Sequence, residues 1–385
     1  MLCDMKERII GRKVLEFAKS YPVVTITGPR QSGKTTLAKM LFPGYRYVNL
    51  ESLTEREFAK SDPVAFLRQF ESDNVIIDEV QRVPELLSQV QVEADVRKRN
   101  GRFILTGSQN FSLMHGISQS LAGRTALCTL LPFALREIAD ESKSASLDQV
   151  MWRGFYPRIH AERLNATDAL SFYVDTYLSR DVREIENVKN LRSFSIFLRL
   201  AAGRTGRVLN VSSLADDAGI SPKVATEWLS LLEASYVVKM LQPWHANIGK
   251  RLVKAPKLYF LDVGLACYLL GITDSAQLSA HPLRGELFET MVVGECFKRI
   301  ANDCGHSQIS YYRDSNRNEI DLVMQNGSQT TLCEIKSGST FSGNWTSTMA
   351  RLSGQFGADV NRTVVYGGDV SQYRTSFDLV SWREI

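Results

Sequence analysis

Eight consecutive residues near the start of the sequence combine the side chains that can hold a chain of phosphates. They are Gly28, Pro29, Arg30, Gln31, Ser32, Gly33, Lys34 and Thr35. The glycines allow backbone N–H groups to curl around phosphate oxygens, and the lysine offers a positive charge to the terminal phosphates. The segment matches the Walker A pattern at every fixed position, so it predicts an ATP-binding loop that extends to Thr36.

The neighbours of this loop are those that the pattern requires. An apolar, β-branched run, Val23 to Thr27, precedes it and predicts a strand, and a helix is expected over Thr36 to Phe42. A helix that begins beside the phosphates adds its partial positive charge to the site. In this arrangement the Thr35 hydroxyl is expected to bind Mg²⁺. A plain glycine turn between strand and helix is the alternative.

A second apolar run, Val75 to Ile77, is followed directly by two acids, Asp78 and Glu79. A carboxylate at the end of a buried strand is costly unless it meets a cation or hydrogen-bond donors. We therefore expect Asp78 to hold the Mg²⁺ that accompanies ATP. Glu79 is expected to be the base that polarises the attacking water.

A third strand, predicted over Arg102 to Thr106, is followed by further polar residues. A polar side chain at this point can sense the terminal phosphate from a neighbouring strand. We select Ser108 for that role in preference to Asn110. The alternative is that Ser108 only caps a turn.

The rest of the chain divides by pattern. Short strands alternating with helices up to Leu131 predict a parallel α/β sheet covered on both faces. Helical periodicity then dominates from Leu147 to Ala202, and after Gly285 a long helix precedes three strands. These patterns predict three domains, at residues 1–140, 141–280 and 281–385.

Composition is that of a folded protein, with 44% hydrophobic and 23% charged residues in 385. The charged segment Met1 to Arg12 lacks the apolar core of a signal peptide, and no stretch is long and apolar enough to span a membrane. The six cysteines show no framework spacing, which is typical of reduced thiols. We expect a cytoplasmic protein without a membrane partner.

The middle of the chain is basic. Leu191 to Phe260 holds ten basic and four acidic residues, a net charge of +6 against +4 for the whole chain. Within it, Val208 to Ser221 resembles the entry to a helix-turn-helix, with Gly219 in the turn and Ser221 capping the second helix. This predicts a winged helix at about residues 190–260. The expected phosphate contacts are Lys223, Thr226, Lys250 and Arg251. A solvated basic face or a protein-binding module is the alternative.

Four residues in the last third of the chain form another pattern. Glu334 and Lys336 share one face of a predicted strand, Asp321 lies on the preceding strand, and Glu289 lies on the long helix. Asp321 and Glu334 are expected to bind a divalent ion, Mg²⁺ or Mn²⁺, with Lys336 steadying the attacking hydroxide. The pattern resembles the PD-(D/E)XK restriction-endonuclease-like fold. Glu295 competes with Glu289 for the helix position, and a catalytically inactive nuclease fold is the alternative.

The order of these motifs resembles the AAA+ division of P-loop ATPases, and over nearly the whole chain a prokaryotic family that joins such an ATPase to an uncharacterised C-terminal region. Further matching segments include Leu131 to Phe133, Gly154 to Pro157 and Leu261 to Leu265. The resemblance implies an α/β fold with an AAA+ parallel sheet, a helical and winged-helix domain, and a small restriction-endonuclease-like domain. It also implies a homo-oligomer in which an arginine of the neighbouring subunit completes the ATP site. Arg124 is the first candidate and Arg180 the second, and a structural ion pair is the alternative.

Two functions follow from the sequence. The first is an oligomeric Mg²⁺-dependent ATPase that acts on DNA and carries a nuclease-like tail. The second is a nucleotide-switched signalling or scaffold protein, whose winged helix and tail bind proteins. The basic middle segment favours the first, and the mild net charge of the whole chain leaves the second open.

Overall fold

A computed structural model describes residues 6–108, 120–178, 191–245, 255–305 and 307–385. The chain divides into two compact units. The first comprises Met1–Phe133, Ala234–Tyr236 and Arg299–Gly305, and the second comprises Ala134–Glu233, Val237–Lys298 and His306–Ile385. The three-domain division remains a prediction.

The first unit is built on a five-stranded sheet in the order β2-β3-β4-β1-β5, with every pair parallel. Its strands are β1 (Val23–Thr27), β2 (Arg46–Asn49), β3 (Val75–Asp78), β4 (Phe103–Thr106) and β5 (Thr125–Thr129). Its helices are α1 (Gly11–Ser20), α2 (Lys34–Leu41), α3 (Leu53–Ser61), α4 (Pro63–Arg68) and α5 (Leu86–Arg97). The predicted parallel α/β sheet is confirmed.

Both faces of this sheet are buried, which explains its continuous apolar strands. In β3, Val75 and Ile77 contribute to one apolar cluster and Ile76 to another. Successive side chains of a strand point to opposite faces, so each strand serves two cores at once. The strands predicted over Val23 to Thr27, Val75 to Ile77 and Arg102 to Thr106 occur within one residue of their expected bounds, while β5 was not predicted. Helix α2 begins at Lys34, two residues before the expected start.

The second unit begins with helices. They are α6 (Ala139–Ser142), α7 (Leu147–Arg153), α8 (Pro157–Ala161), α9 (Ala166–Phe172), a π-helical segment (Tyr173–Leu178) and α10 (Leu191–Ala202). Then come β6 (Arg207–Val208), α11 (Val211–Ala218), α12 (Pro222–Ala234), β7 (Val238–Leu241), β8 (Lys257–Phe260) and α13 (Val263–Leu269). Strands β6, β8 and β7 form an antiparallel sheet in that order.

Two of the segments that carried the family resemblance pack against each other in this unit. A Cβ atom on Gly264 would lie 2.6 Å from the Gly154 Cα atom, so both positions require glycine. The buried Asp262 carboxylate accepts hydrogen bonds from the backbone N–H groups of Phe155 (2.7 Å) and Leu265 (2.9 Å). These segments therefore serve the packing of the unit.

The unit ends with α14 (Arg284–Asn302), whose last residues belong to the first unit, and a six-stranded sheet. The strands are β9 (Gln308–Arg313), β10 (Glu319–Asn326), β11 (Gln329–Lys336), β12 (Val360–Tyr366), β13 (Gln372–Tyr373) and β14 (Asp378–Ser381), with α15 (Ser347–Leu352) between β11 and β12. The order is β13-β14-β12-β11-β10-β9. Strands β9, β10 and β11 are antiparallel, whereas β12 runs parallel to β11 and β14.

None of the helices in the described ranges is both long enough and apolar enough to cross a membrane.

Candidate functional site

The loop between β1 and α2 has the backbone that its sequence predicts. Gly28 has a φ of 148° and Gly33 a φ of 91°, and Gln31 adopts the left-handed region at 62°. A Cβ atom on Gly28 would lie 2.1 Å from the carbonyl oxygen of Leu130, so any side chain at this position would displace the loop. The glycines thus permit a tight turn of the backbone at the amino end of α2.

Two buried polar side chains in this loop fit a phosphate ligand. Lys34 Nζ donates to the carbonyl oxygens of Gly28 (3.1 Å) and Pro29 (2.7 Å), which holds its charge within the loop. The Ser32 hydroxyl is buried and has no hydrogen-bond partner within the described part of the chain. A charged donor and an unsatisfied hydroxyl in a glycine-bounded loop suit anionic oxygens.

Asp78, at the end of β3, is contacted by side chains from the neighbouring strands β2 and β4 and from α2. Its carboxylate is 2% exposed and accepts hydrogen bonds from the hydroxyls of Thr35 (2.9 Å), Tyr47 (2.7 Å) and Thr106. The contact between Thr35 and Asp78 joins the two residues predicted to hold Mg²⁺. Hydroxyl and carboxylate oxygens are the ligands that this ion prefers.

Sequence reasoning missed two of these hydroxyls. Tyr47 lies on β2, and Thr106 is the last residue of β4, the strand between those that carry the loop and Asp78. Burial, together with the hydrogen bond and charge of Asp78, raises the pKa of the Tyr47 phenol, which therefore remains a donor. For Thr106 the available signal was a polar residue at the end of a parallel strand, whereas Tyr47 lies within β2 and had no such signal.

Glu79 follows Asp78 with a φ of 58°, in the left-handed region that a residue with a side chain rarely adopts. Its carboxylate accepts a hydrogen bond from Gln81 Nε2. Such backbone strain recurs at functional sites, where the surrounding structure holds it in place. The Ser108 hydroxyl is buried without a hydrogen-bond partner in the described residues, and Asn110 lies outside them.

Arg124 lies at the opposite edge of the same sheet. It precedes β5, and its backbone oxygen accepts a hydrogen bond from Val23 N, at the start of β1, whereas the phosphate loop follows the end of β1. Five residues of strand, about 16 Å, separate Arg124 from the loop edge. Its guanidinium pairs with Asp95 at 2.6 Å, which is the structural ion pair left open above. The second candidate, Arg180, lies outside the described residues.

The C-terminal acids meet at the centre of the second sheet. Lys336 Nζ lies 3.0 Å from Asp321 Oδ2 and 2.6 Å from Glu334 Oε2, and so bridges the two carboxylates. Asp321 Oδ2 also accepts the backbone N–H of Ile335 at 2.8 Å. Burial, and then the charge of Asp321, raises the pKa of Glu334 to about 7.

Glu289 lies on α14 and belongs to the same electrostatic cluster. Burial, followed by the charge of Asp321, raises its pKa to about 7. Its carboxylate accepts hydrogen bonds from Tyr259 (2.5 Å) and from Lys257 Nζ (2.9 Å), which also lies 2.6 Å from Glu319. In the described residues, no three acidic, histidine or cysteine side chains are grouped as a metal ion would require.

Lys257 corrects one expectation. We counted it in the basic surface of the middle segment, yet its side chain is 2% exposed and lies between two carboxylates. Burial by itself would lower the pKa of Lys257, but the charges of Glu289, Asp321 and Glu319 together raise it. Lys257 and Tyr259 lie on β8, a strand far from the acids in sequence, so no local pattern signalled them.

Glu295, the competitor for the helix position, has a different environment. Its carboxylate accepts the backbone N–H of Leu135 at 2.9 Å and pairs with Lys298 at 2.7 Å. Lys298 Nζ in turn lies 3.5 Å from the centre of the Phe155 ring. Glu295 therefore takes part in the packing of α14 against neighbouring segments. Glu289, and not Glu295, is the helical acid beside Asp321.

The expected helix-turn-helix features occur between α11 and α12. Gly219 ends α11 in the left-handed conformation, and the Ser221 hydroxyl accepts the N–H of Val224 at 3.3 Å as a cap of α12. The Lys223 side chain is 86% exposed, and the exposed Thr226 bonds to the backbone of its own helix. Lys250 and Arg251 lie outside the described residues.

Comparison with known proteins matches three segments of the chain. Residues 20–139 match an AAA domain, residues 144–276 a domain of unknown function (DUF8612), and residues 284–385 another (DUF4143). Among solved structures, the Walker-type ATPase of Pyrococcus abyssi is 15% identical and has a TM-score of 0.45, covering 70% of this chain and 99% of that one.

Uncharacterised proteins of Mycobacterium bovis and Mycobacterium tuberculosis are each 30% identical to this chain over 322 residues. The matched region spans 83% of this chain and 71% of each relative. The chain therefore belongs to the same family as these mycobacterial proteins, and it is a P-loop ATPase of the AAA type that carries a C-terminal domain of unknown function (DUF4143).

Proposed function

We propose that this ATPase is Mg²⁺-dependent, assembles as a homo-oligomer and acts on DNA, which it cleaves at the acidic site of its C-terminal domain. One observation supports DNA cleavage: Asp321, Glu334 and Lys336 meet in a largely buried cluster beside Glu289. The carboxylates on neighbouring strands supply oxygen ligands of the kind that Mg²⁺ and Mn²⁺ take, once the ammonium group that bridges them moves aside.

At the ATP site, the residues of the chain divide the work. Loop N–H groups and Lys34 bind and orient the phosphates, while Thr35 and Asp78 hold the metal ion. Glu79 accepts the proton of the attacking water, and Ser108 senses the terminal phosphate. When bound, Mg²⁺ supplies positive charge that offsets the charge on the transferring phosphoryl group.

Nucleic-acid binding is assigned to the segment from α10 to β8. Its order of helix, short strand, two helices and two antiparallel strands supports a winged helix, with α12 as the recognition helix. In this assignment the exposed Lys223 on α12 contacts a DNA phosphate. Electrostatic binding of this kind weakens with salt, by about 0.9 log units per phosphate contact per log unit of salt on duplex DNA.

The arrangement of the last domain supports a nuclease fold. Helix α14, the antiparallel strands β9 to β11, helix α15 and the parallel strand β12 follow one another, and the acids lie on the central strands. The DNA-cleaving role of Asp321, Glu334, Lys336 and Glu289 rests on this placement. In the same site Lys336 is expected to steady the attacking hydroxide.

Two assays on the full chain test this proposal together. ATP turnover is measured with and without duplex DNA, and cleavage of the same DNA is followed with Mn²⁺ or Mg²⁺. Lys223→Glu should reduce DNA binding at all sequences, whereas the same change at Lys60, an exposed lysine on α3, should not. If no DNA or RNA binds at low salt, with or without ATP, the proposal fails.

The second candidate is a nucleotide-switched signalling or scaffold ATPase whose nuclease fold is inactive and whose last domains bind proteins. One observation favours it: Lys336 and Lys257 already form ion pairs with the four acids of the C-terminal cluster, Asp321, Glu334, Glu289 and Glu319. A metal ion must displace an ammonium group to enter. Cleavage that requires Asp321 would exclude this candidate.

A further inference from the structure

Arg8 is a buried arginine that lies beside the phosphate loop. It precedes α1, its side chain and backbone are together 6% exposed, and no recognised motif includes it. Its Nη1 atom donates to the carbonyl oxygen of Ser32 at 2.8 Å, and its Nη2 atom donates to that of Leu131 at 2.6 Å. One guanidinium group thus connects the loop to the segment that follows β5.

That segment forms an outer wall for the loop. The backbone N–H of Leu130 donates to the carbonyl oxygen of Thr27 at 2.8 Å, and the Leu130 carbonyl lies where a side chain on Gly28 would otherwise be. The Phe133 ring lies under the Arg8 guanidinium, with its centre 4.8 Å away. Leu131 to Phe133 are residues of the family resemblance that the ATPase chemistry had left unexplained.

The hydrogen bond to Ser32 has a consequence for its neighbour. In a planar trans peptide the carbonyl of one residue and the N–H of the next point in opposite directions. Because Arg8 holds the Ser32 carbonyl, the N–H of Gly33 is directed away from Arg8. A fixed N–H direction is what a loop that binds phosphates through its backbone requires.

We infer that Arg8 is a positioning residue of the ATP site, which holds the phosphate loop in its binding conformation by bridging Ser32 and Leu131. The role suits arginine because its planar fork reaches two carbonyl oxygens at once, whereas a lysine ammonium group is a single point of charge. The inference rests on ATP binding at the loop. In this role Arg8 does not contact the γ-phosphate.

The test compares Arg8→Ala and Arg8→Lys with Arg12→Ala, an exposed arginine on α1, by titrating ATP and ADP with Mg²⁺ into the full chain. Arg8→Ala should weaken both nucleotides equally, by about tenfold to 100-fold. Arg8→Lys should lie between Arg8→Ala and the wild type, and Arg12→Ala should match the wild type. The rate at saturating ATP should change less than the affinity.

Guanidinium ion at a non-denaturing concentration should restore part of the affinity of Arg8→Ala, while sodium chloride at equal ionic strength should not. A loss for ATP with ADP unchanged would place Arg8 on the γ-phosphate and overturn the inference, as would unchanged affinity in Arg8→Ala. If Arg8→Ala does not fold, the partial loss in Arg8→Lys carries the test, and wild-type affinity there rejects the inference. Absence of binding in the wild type would instead reject ATP binding itself.

Discussion

The ATP site and the C-terminal acid site solve one problem in two ways. Each buries carboxylates on central strands, where an isolated charge would be costly. The Asp78 carboxylate accepts hydrogen bonds from three hydroxyl groups. Asp321 and Glu334 are held by the ammonium group of Lys336, and Glu289 by that of Lys257.

The two kinds of partner determine what must move before a metal ion can bind at each site. Hydroxyl groups bring no cation to Asp78, so a divalent ion can enter there without displacing one. At the C-terminal site an ammonium group already occupies the space between two carboxylates, so a metal ion must displace it or share its ligands. The ATP site is therefore open to its cation, whereas the acid site already holds cations of its own.

The largest expected effect tests whether the ATP site, unlike the acid site, needs a neighbouring subunit. If Arg124 acts in trans, Arg124→Ala should bind ATP normally and hydrolyse it about 10³-fold more slowly. Steady-state turnover and ATP titration measure both quantities. Mixing this variant with Glu79→Gln should recover part of the activity, and Asp95→Ala is the control for the ion pair. Undiminished turnover in Arg124→Ala alone would contradict the role.

Glu79 and Lys34 should separate turnover from binding. Glu79→Gln should bind ATP with wild-type affinity and turn it over about 10²-fold more slowly or worse, because the base is lost. Lys34→Ala should instead weaken binding, since the phosphate clamp is gone. Single-turnover kinetics and nucleotide titration distinguish the two. A wild-type rate in Glu79→Gln would remove its assignment as the base.

At the acid site, Asp321→Ala and Lys336→Ala should reduce DNA cleavage about 10²-fold or more while ATP turnover stays unchanged. The two sites have separate residues, so loss at one should leave the other intact. Asp359→Ala, an exposed acid that precedes β12, is a matched control. Equal cleavage by Asp321→Ala and the wild type would show that any nuclease activity arises elsewhere.

A smaller effect is expected at the hydroxyls around Asp78. Tyr47→Phe removes one of three donors, so the Mg²⁺ concentration for half-maximal ATP turnover should rise about tenfold. Phe58→Leu, on α3 in the same unit, tests for a general effect of changing an aromatic ring. The hydroxyl account of Asp78 fails if Tyr47→Phe leaves the Mg²⁺ dependence unchanged.

The smallest effect concerns pH. Glu289 and Glu334 have pKa values raised to about 7 in the folded chain, so the fold binds their protons more tightly than the unfolded chain does. Without metal, the melting temperature of the second unit should fall by about 2 to 5 degrees as the pH rises from about 4.5 to about 7. Added Mn²⁺ should offset this fall above pH 7.

Glu334→Gln carries no titrating group at that position and should show a flatter pH dependence of the melting temperature. A slope equal to that of the wild type would assign the effect to other groups.

Most of the fold could be predicted where the signal is local. The strands beside the loop, and the helices α11 and α12 with Gly219 in the turn between them, follow from short-range preferences for burial, turning and capping. Strand β5 and the parallel strands after α15 were missed, because their pairing depends on partners distant in the chain. The burial of Lys257 was missed for the same reason.

The sequence by itself identified the phosphate loop, since Gly28 to Thr35 are contiguous and their glycines permit the tight turn of the backbone. It also named Asp78, because a carboxylate that ends an apolar strand is recognisable from the strand pattern, and it named Asp321 and Glu334 from the Glu-x-Lys spacing and the acid on the preceding strand. Only the tertiary structure decided what balances those acids. Tyr47, Thr106, Lys257 and Arg8 come from separate segments, and long-range packing alone determines which donor reaches a buried charge.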